Sequence, residues 1–273
     1  MKNILQQAIL LQPEMRHRFL QEHQIDLQQL LLVIGSPDSE LRDELAFRIF
    51  VESLYTNSWS QNELNEVVKK LISNNYLFLN IGEVGKDSIY TRSFSALWLS
   101  YLLKVDAQQS FLNDQESVEI FEKVASYLMR ENDTRGLVEN EGWANAVTHA
   151  GDMFIASVYH PRFEMRFVPQ FLQGISKCIW AGNVFVDDEE QRLAELIKLF
   201  HTIDYPEEVI VEWIEQLFDK LDFHLYERGY TRDYFKAKTN LIHLMQALYF
   251  KLKFSKVYPK VQSVASFFIA KSM

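Results

Sequence analysis

The chain has 273 residues, a formal net charge of −9, 48% hydrophobic and 24% charged residues, which excludes disordered, collagenous and disulfide-stapled classes. Nine glycines and six prolines are few breakers for this length and favour helix, while a lone cysteine, Cys178, excludes an intrachain disulfide and suits a reducing compartment. The acidic balance argues against general nucleic-acid binding, no apolar run approaches the roughly 18–20 residues of a bilayer span, and the N-terminus lacks a signal-peptide pattern, so a cytoplasmic protein without a membrane span is expected.

Residues 2–34 read as two or three short helices, with Ile4, Leu5, Ala8, Ile9 and Leu11 on one stripe and Leu27, Leu30, Leu31 and Ile34 on another. Gly35 ends this N-terminal capping unit (1–35). Ser36-Pro37-Asp38-Ser39 is helix-start chemistry for a helix from Glu40 to about Thr56. Ser60 and Glu63 form a capping box for the next helix. Helices are then predicted from about Tyr90 to Lys104 and from about Gln115 to Arg130. The next begins at Gly142, with Trp143 filling core volume at its start, and closes before Pro161. Phe163–Trp180 should kink at Pro169 or begin late. Asp187-Asp188-Glu189-Glu190 and Pro206-Glu207-Glu208 start two more helices, and a final pair covers about Thr231–Phe254 and Ser255–Ala270.

First members of helix pairs therefore begin near residues 40, 90, 142, 188 and 231, close to the spacing of HEAT and armadillo repeats. The fold expected is all-α, an α-solenoid of stacked helical hairpins forming one domain over 1–273. A compact helical bundle or an α/α toroid is the alternative. Charge is distributed unevenly. From Arg228 onward nine Lys or Arg face one acid, a formal +8, and the remainder carries −17. The basic C-terminal helical pair (228–273) could meet an anionic partner or pack against the acidic body.

Asn145, Thr148, His149 and Asp152 share one face of a helix, because i, i+3, i+4 and i+7 return to the same side. A histidine and a carboxylate at i, i+3 can share a proton or a ligand, so His149 and Asp152 are the candidate catalytic pair, with Arg92, Glu139 or His160 as helpers. The competing reading is structural, with His149 bonded to a neighbouring helix and Asp152 paired with an arginine such as Arg92. As a binding groove the same region would use Arg92, Arg135, Glu139, Trp143, Asn145, His149 and Asp152. His243 with Asn240 is a weaker pair of this kind, and Cys178 reads as a core thiol. No motif for a metal or cofactor is present.

Arg135-Gly136-Leu137-Val138-Glu139 followed by Gly142-Trp143-Ala144-Asn145-Ala146-Val147-Thr148-His149-Ala150-Gly151-Asp152 resembles the signature of the domain of unknown function 2785 family, mainly bacterial proteins. Gly35-Ser36-Pro37-Asp38, Leu41-Arg42-Asp43-Glu44-Leu45-Ala46 and Arg92-Ser93-Phe94-Ser95-Ala96-Leu97 resemble it too. The resemblance implies a helical-repeat fold and supplies no activity. The family's pattern carries a histidine where this chain has Asn145, so the i, i+4 histidine pair that would suit a metal is missing, while Asn still offers a hydrogen-bonded contact. The function expected is a scaffold binding a protein, peptide or small ligand through a polar groove around His149. The alternative is a hydrolase-type enzyme using His149 and Asp152.

Overall fold

In the computed structural model, which describes residues 1–272, helix ends follow local capping chemistry. Three short helices open the chain: α1 (Lys2–Ile9), α2 (Pro13–Glu22) and α3 (Leu27–Leu31). Arg16, buried on α2, donates to the carbonyls of Ala8, Ile9 and Leu11, filling acceptors that the end of α1 leaves open. The segment expected as one helix from Glu40 starts as a π-helix over Glu40–Phe47 and continues as α4 (Arg48–Tyr55). Arg42 lies on the wider turn and is fully buried.

Capping boxes begin α5 (Gln61–Leu71), through Ser60 and Glu63, and α7 (Asp114–Arg130), through Asn113 and Glu116. Between them lies α6 (Ser88–Gln109). Beyond α7 the chain departs from the sequence reading. Leu137–Val138 (β1) and Gly142–Trp143 (β2) form a small antiparallel hairpin, and α8 starts only at Ala146 and ends at Val158. Trp143 therefore does not fill the core at a helix start; it sits on β2 and is 40% exposed.

A 3-10 turn at Met165–Phe167 leads into α9 (Val168–Trp180), with Pro169 in its first turn, so the helix begins late instead of kinking. Then come α10 (Glu189–Leu199), α11 (Glu207–Arg228), α12 (Arg232–Ser255) and α13 (Pro259–Ser272). Helix accounts for 71% of the chain, and the hairpin holds the only strands among the described residues, so the protein is all-α. None of the described helices is long and apolar enough to cross a membrane.

Helices α6, α8, α10 and α12 lie side by side, each packed on the next; α7 packs on α9, and α13 on both α11 and α12. Stacked aromatic pairs recur between elements: Phe50 on Trp98 (3.9 Å), Phe154 on Phe171 (4.1 Å) and Phe218 on Phe268 (3.7 Å). One apolar cluster runs through the chain from Leu5 to Phe268. Gly174 sets the approach of α9 to α7, since a Cβ there would stand 2.8 Å from Leu128 Cβ.

Burial separates two aromatics of the signature region. Phe154→Ala removes a fully buried stacked ring and should cost about 3–5 kcal/mol, whereas Trp143→Ala should cost less than about 1 kcal/mol. Urea midpoints of the two variants check this; equal losses would show that Trp143 belongs to the core.

Candidate functional site

Arg42 builds the centre of the site. Its guanidinium donates to the Ser36 carbonyl (2.6 Å), the Glu141 carbonyl (2.9 Å) and the Trp143 carbonyl (3.3 Å), and pairs through Nε with Asp43 (2.7 Å). It lies 4.3 Å above the Tyr90 ring and 4.8 Å above the Phe94 ring of α6. A buried guanidinium needs this many acceptors, because an unpaired charge in the interior costs several kcal/mol. Tyr90 Oη in turn donates to Glu141 (2.5 Å), and burial together with that carboxylate pushes the phenol pKa upward.

The hairpin is thus held from below by α6 and from one side by the 36–43 segment. Gly142 has φ +78°, and a Cβ there would come within 2.7 Å of Ser39 Cβ, so both backbone and space require glycine. The hairpin closes through Ala144 N–H donating to the Gly136 carbonyl (2.8 Å), and Asp187 accepts from Leu137 N–H (2.9 Å). Leu137 and Trp143 are directly paired across it, and both are exposed. Glu139 lies on its exposed tip.

Arg92 is fully buried beneath, forming a two-pronged pair with Glu131 (2.6 and 3.0 Å) and donating to the Leu79 carbonyl (3.0 Å). Tyr127 also donates to Glu131 (3.2 Å). Arg135 pairs with buried Asp133 (2.8 Å) and donates to the Lys86 carbonyl (3.0 Å). These groups lock the 79–88 link onto the 131–135 loop. Arg92 is therefore shut away from ligand, while Arg135 is partly exposed at the edge.

On α8 the expected polar stripe divides. Asn145 is the N-cap of α8, in the left-handed region (φ 49°), a conformation that asparagine tolerates, and its carbonyl accepts from His149 N–H (2.9 Å), so it stands one turn before His149 as expected. His149 Nδ1–H donates to the Ser93 carbonyl (3.2 Å), and its ring meets Phe94 edge-on at 5.1 Å. Burial, against the opposing Ser93 bond and with help from Arg42 and Arg192, drops its pKa from the ordinary 6.5 to about 3. Asp152 pairs with Arg192 of α10 (3.1 Å), not with Arg92, and burial raises its carboxyl pKa. His149 and Asp152 thus direct their polar groups to different partners and share no proton.

Two atoms of the stripe have no hydrogen-bond partner within the protein: Asn145 Oδ1 and Thr148 Oγ1. Further along the helices, Tyr101 and Lys104 of α6, with the ammonium 4.5 Å from the ring centroid, lie near the Asp152–Arg192 pair. Glu195 of α10 and Lys251 of α12 continue the row at 3.4 Å.

The histidine–carboxylate pair of this protein lies elsewhere. Arg162 N–H donates to His160 Nδ1 (3.2 Å), so the ring proton sits on Nε2 and is donated to Asp106 (2.9 Å), with both side chains fully buried. Asp106 also accepts from Leu112 N–H (2.7 Å) and Arg162 (3.2 Å), tying α6 to the loops after α6 and α8. Asn240 is likewise internal, accepting from Phe185 N–H and donating to the Ile179 and Asn183 carbonyls, while His243 is exposed. Cys178 is buried, and burial pushes its thiol up to about 12. Among the described residues no three His, Cys, Asp or Glu side chains converge as a metal cluster.

Sequence reasoning missed the hairpin, although Glu139-Asn140-Glu141-Gly142 between Val138 and Trp143 is turn chemistry, and Asn140 (φ 64°) and Gly142 adopt left-handed conformations. It also missed Glu131 and Asp106, whose partners lie 39 and 54 residues away. No local signal marks such pairs.

A family model described as "Protein of unknown function (DUF2785)" matches residues 77–250, well over half of the chain. The chain belongs to the DUF2785 family. The matched span holds α6, the hairpin, the α8 stripe and most of α12, while the Arg42 segment lies before it. No curated protein and no solved structure matches the chain.

Two predictions follow from this DUF2785 geometry. Arg92→Ala leaves Glu131 buried without its cation and should cost about 3–5 kcal/mol in chemical denaturation, and replacing the pair together by Met and Leu should recover much of the loss. His149 binds a proton in the unfolded chain below the ordinary 6.5 but not in the folded one until about pH 3. Stability should therefore fall as pH drops through that window. His149→Gln should flatten the slope of unfolding free energy between those limits, and an unchanged slope would show the ring to be solvent-exposed.

Proposed function

We propose that the chain is an α-solenoid binding scaffold, working as one unit over 1–273, that takes a peptide segment across the outer faces of α6, α8 and α10 beside the hairpin. The solenoid reading is supported by the side-by-side order of α6, α8, α10 and α12 and by first-member starts at residues 40, 88, 146, 189 and 232. A compact bundle would not require alternate helices to neighbour one another in this order. A cytoplasmic setting suits the buried, unreactive Cys178.

The observation that carries the binding reading is the pair of unpartnered atoms, Asn145 Oδ1 and Thr148 Oγ1, on the first turn of α8. Leaving a buried polar atom unpaired costs about 1–3 kcal/mol, which a ligand group that completes it would recover. Beside them stands Trp143, exposed yet fixed through its carbonyl by Arg42. An exposed aromatic on a fixed backbone, next to unused hydrogen-bonding groups, is the composition of a recognition hot spot. The peptide would rest on Trp143 and Leu137 and reach Asn145, Thr148 and the Asp152–Arg192 pair, with Arg135 and Glu139 at the margin. His149 and Arg92 act beneath, by holding α8 and the 131–135 loop in place.

The test is selection from a random peptide display library on wild-type protein, followed by affinity measurement. Selected peptides should lose at least about tenfold in affinity for Thr148→Arg and for Trp143→Ala, a loss of about 1.4 kcal/mol. Failure to enrich any sequence, or peptides indifferent to both substitutions, would remove this reading.

A further inference from the structure

Helix α12 turns an aromatic face to solvent. Phe235, Phe250 and Phe254 stand on it, all more than half exposed. They form two aromatic platforms, Phe235 stacked on Tyr230 at 5.6 Å and Phe250 on Phe254 at 6.5 Å. Between the platforms lie Thr239, His243 and Gln246, at spacings that return to one side of a helix. Nineteen residues separate Phe235 from Phe254, roughly 28 Å or five turns at 1.5 Å per residue.

Two grooves flank this ridge. One of about 440 Å³ lies against α10 and includes Gln191, Phe250 and Phe254; the other, about 310 Å³, lies against α13 and includes Phe235, Lys238 and Ile269. His243 and Gln246 border both. Ridge and groove at this scale match the surface of another helix, whose own side-chain rows fit between them.

The charges choose the partner. Among the described residues Lys238, Lys253 and Lys256 make no ion pair, although acids elsewhere along the row are paired, as Asp152 is with Arg192 and Glu195 with Lys198 and Lys251. The segment from Arg228 onward carries +8 in total. Pairing this face with the same face of a second copy would oppose like charges. A flat anionic bilayer would touch the ridge and leave both grooves empty.

We propose that the outer face of α12 docks an acidic amphipathic helix of a partner protein, its apolar positions seated in the two grooves and its carboxylates meeting Lys238, Lys253 and Lys256. This surface is separate from the α8 site and does not depend on it.

The probe is a fluorescein-labelled 20-residue helical peptide with Leu at i, i+3, i+4 and i+7 positions and Glu at most others, read by fluorescence anisotropy against the full chain. Saturable binding is expected, weakened about tenfold or more between low and roughly 0.5 M salt. Phe250→Ser with Phe254→Ser, and separately Lys238→Glu with Lys253→Glu, should each lower affinity about tenfold with little change in the thermal midpoint, since Phe250, Lys253 and Phe254 are exposed and Lys238 is half-buried without an ion pair. Trp143→Ala should leave this binding intact, which separates it from the α8 reading. Absence of saturable binding overturns the proposal, as does equal binding of a scrambled peptide of the same composition. Two further results overturn it: binding of phosphatidylglycerol vesicles in place of the peptide, and self-association in sedimentation that the same variants abolish.

Discussion

A single buried guanidinium holds the signature region together. Arg42 reaches from the 36–43 segment to the carbonyls of Glu141 and Trp143, about a hundred residues on, while resting on the Tyr90 and Phe94 rings of α6. Removing its charge from water is tolerable only because three carbonyls accept from it and the Asp43 carboxylate lies beside it. Those carbonyls are available because the chain forms a hairpin instead of extending α8. The hairpin in turn requires Gly142, whose missing side chain lets Ser39 and Arg42 approach. Arg42, Gly142 and Tyr90 are therefore one device, and it fixes where Trp143 stands.

A second buried arginine repeats the logic one layer below. Arg92 and Glu131 join the 79–88 link to the loop after α7, and the His160–Asp106 pair does the same at the far end of α6. Helix α6 is thus pinned by polar contacts at both ends and packed between neighbours along its length. On the α8 stripe, Asn145 Oδ1 and Thr148 Oγ1 are left without partners.

The basic and acidic parts of the chain also resolve into local arrangements. Lys260 pairs with Glu208 (2.6 Å) and Lys271 with Asp222 (3.1 Å), so part of the C-terminal charge serves to attach α13 to α11. Those two lysines pack against the acidic body, whereas Lys238, Lys253 and Lys256 on and beyond α12 make no ion pair.

Helix positions were largely legible in the sequence. The Ser60–Glu63 box, the acids before α10 and α11, Pro169 at the start of α9 and the i, i+3, i+4 apolar stripes act within a few residues, so the chain itself determines them. The hairpin was hidden because Trp143 to Asp152 also satisfies a helical pattern, and periodicity alone cannot distinguish a helix start from a strand that leads into one. Burial decided the rest. Whether His149 is a neutral core ring or a proton donor, whether Arg92 meets ligand or Glu131, and whether Asp152 pairs with Arg92 or Arg192 all depend on partners 39 to 56 residues away. Sequence determined which helices form and where the signature lies; only the tertiary structure decided which signature residues are scaffold and which reach solvent, because burial is a property of the packed chain and not of any segment.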